Sequence, residues 1–489
     1  MNWQKTDHNP HSLADKFLFS FAIFTFTAGL TSLSAQDFGF GNDEGDSFSG
    51  AAAAVSVGGE VSASMLGYFD DFSNGLGETR LGDIFSGKLN FSASGSNADG
   101  FVNLNLKPVF DGTASPITID EAYLRAFFGN FNIEAGLRKL TWGKADSMGP
   151  LDVINPLDYS DMTDLLDSSG LKIARPLLRL SYNFGTFSKL EGVFVPWFEA
   201  SRSASSGRWA PGQMETLPAE IIAGLVSLAP PPFQSSIQTA LAGSLDASNL
   251  SGGKDTSALE YAQAGLRFTT TVGSSDMGVQ YYFGRLPQPA ISIEGAGPLA
   301  SLANPADVPG VLQGIHPVIE YNRYHQIGLD YARVVRGFNI RAELAANITG
   351  DFAGDDGAVY NPSIAWSFGF DRETVWGITA NLQAGEKIIL LHDRIGNNAA
   401  LDTEAGTGLT STRIIASLSK KLLRDELDVN VKAIWGIEDR DFLIAPGITW
   451  TKGNVGVDCV FGIIGGDEAG QFGQYHENSF VKLGLTYMF

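Results

Sequence analysis

A chain of 489 residues with 57 Gly, 33 Phe and 44% hydrophobic residues can build two or three soluble domains or one large closed sheet, and length alone does not choose. The formal charge of −21 excludes the basic surface that binds nucleic-acid phosphates, since that affinity comes from clustered Lys and Arg. Past the first thirty residues no run of about eighteen apolar residues could form a membrane helix, so the apolar content is spread rather than blocked.

Residues 17–30 are an apolar core too short to span comfortably, and Ala35-Gln36 follows as a cleavage site, so 1–35 reads as a cleaved signal peptide. No cysteine follows that core, and a lipid anchor is not indicated. Residues 36–50 are acidic and Gly-rich and read as a flexible N-terminus. From 51 to 489 alternating segments recur. The first is Val55 to Tyr68; Ile84 to Gly95 and Phe101 to Phe110 then flank a turn ending Asp99-Gly100. Ile117 to Phe128 meets Phe131 to Arg138 across Gly129-Asn130. Leu177 to Phe184 leads through Gly185-Thr186 into Phe187 to Trp197, and Leu259 to Val272 leads into Met277 to Phe283. Tyr324 to Val335 reaches Phe338 to Ile348 across Arg336-Gly337. Ile364 to Phe370, Val375 to about Leu391, Leu409 to Lys421, Leu427 to Ile437, Phe442 to Trp450, Val455 to Ile464 and Ser479 to Phe489 complete the set.

Short turns alternate with long polar excursions, as in an up-and-down barrel with short turns on one rim. The expectation is an all-β fold, a transmembrane antiparallel up-and-down β-barrel of about 18 strands, with short helices in the outer loops. In Val375 to Leu391, Gly385 interrupts a run too long for one ordinary strand. A bulge there keeps the count; otherwise it is 16 or 20.

Alternate side chains of a strand point to opposite faces, and this assigns the surroundings of each set. Phe338, Ile340, Ala342, Leu344 and Ala346 oppose Asn339, Arg341, Glu343 and Asn347; Leu427, Val429, Val431, Ala433 and Trp435 oppose Asp428, Asn430 and Lys432. A cation facing lipid at mid-depth costs roughly 2–4 kcal/mol, so the charged set faces the lumen. The candidate lumen residues are Glu121, Arg125, Glu134, Arg138, Arg179, Arg267, Asp330, Arg341, Glu343, Lys432 and Lys482. Their mixed signs either line an aqueous pore or pair across a filled interior. The lone Cys459, in the alternating run from Val455 to Phe461, reads as a small apolar side chain facing lipid.

At the C-terminus Val481, Leu483, Leu485, Tyr487 and Phe489 occupy every second position. The pattern resembles the terminal signature of bacterial outer-membrane β-barrel proteins. In that family it is read by the barrel-assembly machinery, which the resemblance implies as a partner.

Three excursions, 139–174, 198–257 and 285–321, are too long for mere connections. In the first, Pro150 and Pro156 stiffen the backbone and neighbouring aspartates fix turns, so a rigid, folded-in loop is expected. Its constriction candidates are Trp142, Asp146, Asp152, Asn155 and Asp158. The second holds two helix-like stretches, Ala219 to Leu228 and Ser235 to Leu245, split by Pro230, Pro231 and Pro232. The third contains the short apolar pieces Leu299 to Leu302 and Val308 to Leu312. Such pieces cap the lumen, narrow it, or pack together as a lid. The strand end Gly136 to Lys139 with Trp142-Gly143, and then Asp152 to Asp158 with Ile154-Asn155-Pro156, resembles a family of uncharacterised porin-like outer-membrane barrels. So does Gly369 to Arg372 with Trp376-Gly377. Leu137 stands between the glycine and arginine that adjoin in that family. The resemblance implies fold and location, and no substrate.

Four histidines lie beyond the leader, His316, His325, His392 and His476, and none has a second ligand at metal spacing. Gly136 to Lys144 lacks the spacing and following hydroxyl of a phosphate loop. Asp351, Asp355 and Asp356 lack the ligand order of a calcium hand, though weak surface binding of Ca²⁺ stays open. The sequence therefore points away from an enzyme and names no cofactor. It points to an outer-membrane channel, in contact with outer-membrane lipid, for passage of small solutes, with homo-oligomerisation left open. The alternatives are a surface-exposed binding or adhesion barrel with a plugged lumen, and an uptake channel for apolar solutes.

Overall fold

The computed structural model describes residues 54–69, 79–80, 85–107, 115–166, 168–242, 255–398 and 401–489. The segments 1–35 and 36–50, read above as signal peptide and acidic N-terminus, lie outside them. The wall consists of β1 (Ala54–Phe69), β2 (Phe85–Ser94), β3 (Ala98–Leu106), β4 (Ile117–Phe128), β5 (Phe131–Arg138), β6 (Arg175–Phe184), β7 (Ser188–Val195), β8 (Gln263–Val272) and β9 (Ser275–Arg285). It continues with β10 (Arg323–Val335), β11 (Phe338–Thr349), β12 (Ser363–Glu373), β13 (Ile378–Ile389), β14 (Thr410–Leu422), β15 (Leu427–Gly436), β16 (Asp441–Lys452), β17 (Val455–Gly465) and β18 (Ser479–Met488). Each strand pairs antiparallel with its neighbours in the chain. β1 also pairs with β18, from Glu60 opposite Met488 to Phe69 opposite Ser479, and the sheet closes on itself. Closure leaves no edge strand with unmet N–H and C=O groups.

The expected eighteen segments are these eighteen strands. The doubtful one, Val375 to Leu391, resolves without a bulge: β13 begins at Ile378 and runs in register through Gly385, opposite Ser367. Its apparent excess length comes from Val375 and Trp376, which belong to a turn closed by Gly377 at a φ of 67°. Leu259 to Tyr261, expected in strand, forms a 3₁₀ turn ahead of β8. A bulge lies between β3 and β4 at Asp120, since Asn103 pairs with Glu121 but Leu104 with Ile119.

One face of the wall is apolar and exposed. Leu344 is 46% exposed and Trp435 53%, whereas the intervening Glu343 and Ile434 are buried. Cys459 pairs with Ile448 and Leu483, which puts it on that outward face. Val481, Leu483, Leu485 and Tyr487 share the face, and Phe489 is 53% exposed. The described outward charges sit near strand ends; Glu386, near the end of β13, accepts a hydrogen bond from Trp366 Nε1 at 2.7 Å.

Short turns and both described chain ends gather at one rim, and the long excursions rise from the other. Two helices, α1 (Gln213–Leu228) and α2 (Pro231–Leu241), form the expected helical pair. α1 begins earlier than expected because Pro218 is tolerated inside it. They pack with α3 (Val308–Gln313) and the 3₁₀ turn Gly297–Ser301 around Ile221, Leu225, Ile237 and Leu299. A small hairpin, Ala290–Glu294 against His316–Glu320, was not expected from the sequence.

Candidate functional site

The segment 139–174 does not rise from the rim. It folds inward across the lumen, and the residues that hold it show why. At its root Asn155 closes the loop on itself: its Oδ1 accepts from the Leu140 N–H at 2.7 Å, and its Nδ2 donates to the carbonyls of Arg138 at 3.0 Å and Ile173 at 2.8 Å. One side chain thus ties both ends of the excursion. Lys172 Nζ adds Asp152 Oδ2 at 2.6 Å and Thr141 Oγ1 at 2.6 Å.

The loop's middle is bound to the far wall, β7 to β13. Trp142 donates from Nε1 to Glu191 Oε1 at 2.7 Å, and its ring lies edge-on to Tyr282. It fits because β8 carries Gly265 there; a Cβ would meet the indole at 2.5 Å. Glu343 accepts from the backbone N–H groups of Lys144, of Ala145 at 2.6 Å and of Leu151 at 3.4 Å. Gln383 accepts from the Asp146 N–H at 3.1 Å and donates to the Ser147 carbonyl at 2.5 Å. Gln280 and Gln326 donate to the carbonyls of Leu151 and Pro150, at 2.9 and 3.0 Å. A glutamine amide both donates and accepts, so it can receive a peptide segment as a neighbouring strand would. Asp146 also meets Arg341 and, at 2.5 Å, Asn381 Nδ2.

The loop's end leaves that wall for the opposite one. Asp158 fixes a turn by accepting from the Ser160 N–H at 3.0 Å, and Asp158–Tyr159 pairs with Arg202–Ser203 of the next excursion. Met162, Leu165 and Leu171 enter an apolar cluster with Tyr68, Ile434, Phe472 and Phe480. Asp164 meets Lys482 at 2.7 Å, and Trp209 donates to the Tyr68 hydroxyl at 3.2 Å.

The eleven charged strand residues named from the sequence all stand on the inward face, but they divide into groups with different surroundings. Glu134 sits between Arg125 at 2.8 Å, Arg138 at 3.0 Å and Arg179 at 3.6 Å; Arg138 also reaches Glu121 at 3.2 Å. Arg267 pairs with Asp330 at 2.7 Å, and Arg341 bridges Asp146 and Asp371. Arg267, Asp330 and Glu343 are all buried; Glu343 holds the loop, whereas Arg267 and Asp330 pair with each other. Lys432 is exposed, and Lys482 takes Asp164.

This produces an asymmetric lumen. The inward residues of β8 to β13 are covered: Gln280 and Gln326 are each 1% exposed and Gln383 4%. Along β14 to β18 and β1 to β3, small polar inward side chains such as Ser417, Thr449, Thr486, Ser62 and Ser86 stay partly open to solvent. Between the loop and that open side lies a cavity of about 370 Å³, whose lining includes Asp152, Tyr159, Met162, Arg413, Phe472 and Tyr475. Burial pushes the Asp152 carboxyl up against the pull of Lys172, and its Oδ1 has no hydrogen-bond partner among the described residues. No group of His, Cys, Asp and Glu among the described residues is arranged to hold a metal ion. Asp351 instead accepts from the N–H groups of Gly354, Asp355 and Asp356 and shapes its own turn.

Reading charges alone missed the residues that seat the loop: Glu191, the three glutamines, and the inward glycines at 265 and 328, the latter beneath Leu151. Their signal was present as inward Gly and Gln at alternating positions.

No family model and no curated protein matches the chain. Solved structures are similar in outline. The outer membrane channel DcaP of Acinetobacter baumannii aligns over 89% of this chain and 97% of that one, at 10% identity and a TM-score of 0.40. Wzi of Escherichia coli, an outer membrane protein involved in group 1 capsule assembly and a carbohydrate-binding β-barrel, aligns over 88% and 83%, at 10% identity and a TM-score of 0.44. OmpF of Salmonella typhi, in complex with daunomycin, aligns over 89% and 97%, at 8% identity and 0.39. At these scores the likenesses carry no functional weight.

Proposed function

We propose that the chain is a porin-like channel of a bacterial outer membrane that passes small hydrophilic solutes along one side of its lumen. The observation that supports this reading best is the lopsided interior: Trp142 to Leu151 are sealed to β7 to β13, while along β14 round to β2 small polar side chains stay partly solvated outside the apolar cluster that takes Met162, Leu165 and Leu171. A plug with no transport role has no need to leave one wall wet. The restriction lies where the loop's Met162 to Asp164 end approaches Lys482. The acidic balance of the chain favours cations over anions at the mouth. The proposal includes export through a cleaved segment 1–35 and reading of the terminal strand by the barrel-assembly machinery. Purified protein in a planar bilayer should give discrete conductance steps with cation preference. A fully inserted barrel that never conducts would defeat the proposal.

A second reading, a surface-binding barrel, draws on one feature: the loop touches both walls, and α1 to α3 form a separate apolar layer above it. Deleting 198–257 separates the two. In a channel conductance rises, whereas in a binding barrel partner attachment is lost and conductance stays absent.

A further inference from the structure

At the loop-bearing end of β9 and β10, two arginines stand side by side on the outward face: Arg285 and Arg323 are directly opposite in the ladder. Like charges directly opposed destabilise a strand pair. Neither arginine makes an ion pair within the described residues. Each is held instead by a backbone carbonyl, Arg285 Nη1 by Tyr321 O at 2.6 Å and Arg323 Nη2 by Glu260 O. Their planes rest on aromatic rings, Arg285 at 3.8 Å from the Tyr261 centroid and Arg323 at 5.4 Å from that of Phe283. A carbonyl and a ring fix a guanidinium's position without neutralising it, and N–H groups remain free on both. Arg323 is exposed and Arg285 half-buried.

Directly below, on the same outward face, runs a shallow groove of about 460 Å³. The small side chain of Ala264 leaves it open, and the Gly265 backbone with Leu266, Tyr281, Phe283 and His325 lines it. The Tyr281 hydroxyl and His325 Nδ1 lie 2.7 Å apart, and the imidazole faces the Phe283 ring at 4.9 Å, so the polar atoms of the floor are engaged with each other. What is offered outward is an apolar channel headed by two guanidiniums with no direct ion pair, the carboxylates of Glu260 and Glu320 acting on Arg285 only from beyond ion-pair distance. That combination fits one kind of partner, a lipid whose acyl chain lies along the groove while its anionic phosphate sits between the guanidiniums.

We propose that Arg285 and Arg323, with the groove beneath them, form a specific site for a phosphate-bearing anionic lipid of the leaflet on the loop side of the barrel. This rests on the reading of the chain as a membrane-spanning barrel. The site places a fixed lipid against the strands that carry the loop's anchors, Gln280 on β9 and Gln326 on β10.

The test uses the full-length barrel in nanodiscs of phosphatidylcholine containing a minor fraction of phosphatidic acid, with retained lipid counted by native mass spectrometry. One phosphatidic acid should be retained preferentially. The R285Q/R323Q double variant should weaken that retention roughly thirtyfold, at about 1 kcal/mol for each arginine near the surface. Arg333→Gln, at the opposite rim of β10, should leave it unchanged. A competing arm adds inorganic phosphate, which should fail to displace the lipid because it cannot fill the groove. Equal retention in the parent and the double variant would overturn the site, as would displacement by inorganic phosphate alone. A barrel that inserts and conducts but retains no lipid sinks this site and leaves the channel reading standing, whereas failure to insert at all sinks both.

Discussion

Replacing Glu343 with Ala removes the acceptor that three loop N–H groups share. The Leu151 bond is long, so the seat rests mainly on Lys144 and Ala145. Hydrogen bonds to a carboxylate contribute about 1.5–3 kcal/mol each, which gives about 3–6 kcal/mol for the pair. At 1.4 kcal/mol per factor of ten, the local open population rises roughly a hundredfold to ten-thousandfold. The root, tied by Asn155, stays in place, so residues 144–151 loosen as a flap. Two assays read this. Single-channel recordings should change from one steady level to a noisier, larger one. A reporter thiol at Ser147→Cys, placed in a Cys459→Ser background, should react faster by a comparable factor. Glu343→Gln, which keeps one carbonyl oxygen, should fall between the parent and Glu343→Ala. If Glu343→Ala matches the parent in both conductance and thiol reactivity, the idea that this carboxylate seats the loop is wrong.

Asn155→Ala should strip one buried and two partly buried backbone groups of their partner and lower barrel stability by about 2–4 kcal/mol, seen as an earlier urea midpoint in vesicles. Gly265→Val should displace the Trp142 ring, raising tryptophan exposure to acrylamide quenching, while Gly456→Ala on β17, where an added methyl meets nothing within 4 Å, serves as the control. Leu344→Arg, outward on β11, should cost about 2–4 kcal/mol of stability, whereas Ser417→Arg, inward on the open wall, should instead shift ion selectivity toward anions. Burial works to raise the Glu438 carboxyl, but hydrogen bonds from the Thr412 N–H and the hydroxyls of Thr410 and Thr412 outweigh it and hold the group down to about 2. Its stabilising effect on the β14 to β15 end is therefore complete above the unfolded value of about 4.3 and is lost as pH falls through about 2. Exchange of the Thr412 amide should stay slow at pH about 3 in the parent and quicken there in Glu438→Gln.

The barrel was legible because its constraint is local: a strand with lipid on one side and water on the other repeats every two residues, so Phe338 to Ala346 or Val481 to Phe489 announce their faces without help. The length of β13 misled because Val375 and Trp376 are apolar residues on a rim turn, where chemistry does not distinguish turn from strand. Loop helices were visible in part, since Pro218 reads as a breaker though α1 accommodates it. The inward face of the seat was legible, but its pairing with the segment was not. Lys144 meets Glu343, and Asp146 meets Gln383, across 199 and 237 positions, and no periodicity connects residues so far apart. That the segment would fold in followed from Pro150, Pro156 and their aspartates; which wall it would choose did not.

Those same separations set an order in time. Hairpins such as β10 to β11 close over a two-residue turn and form early, while joining β1 to β18 must wait for the last strand to be made. The segment from Trp142 to Leu151 finds its partners only once β7 to β13 stand side by side, so it is among the last parts to settle. A newly closed cylinder is then at its widest, and it narrows as the segment drops onto the glutamines waiting beneath it.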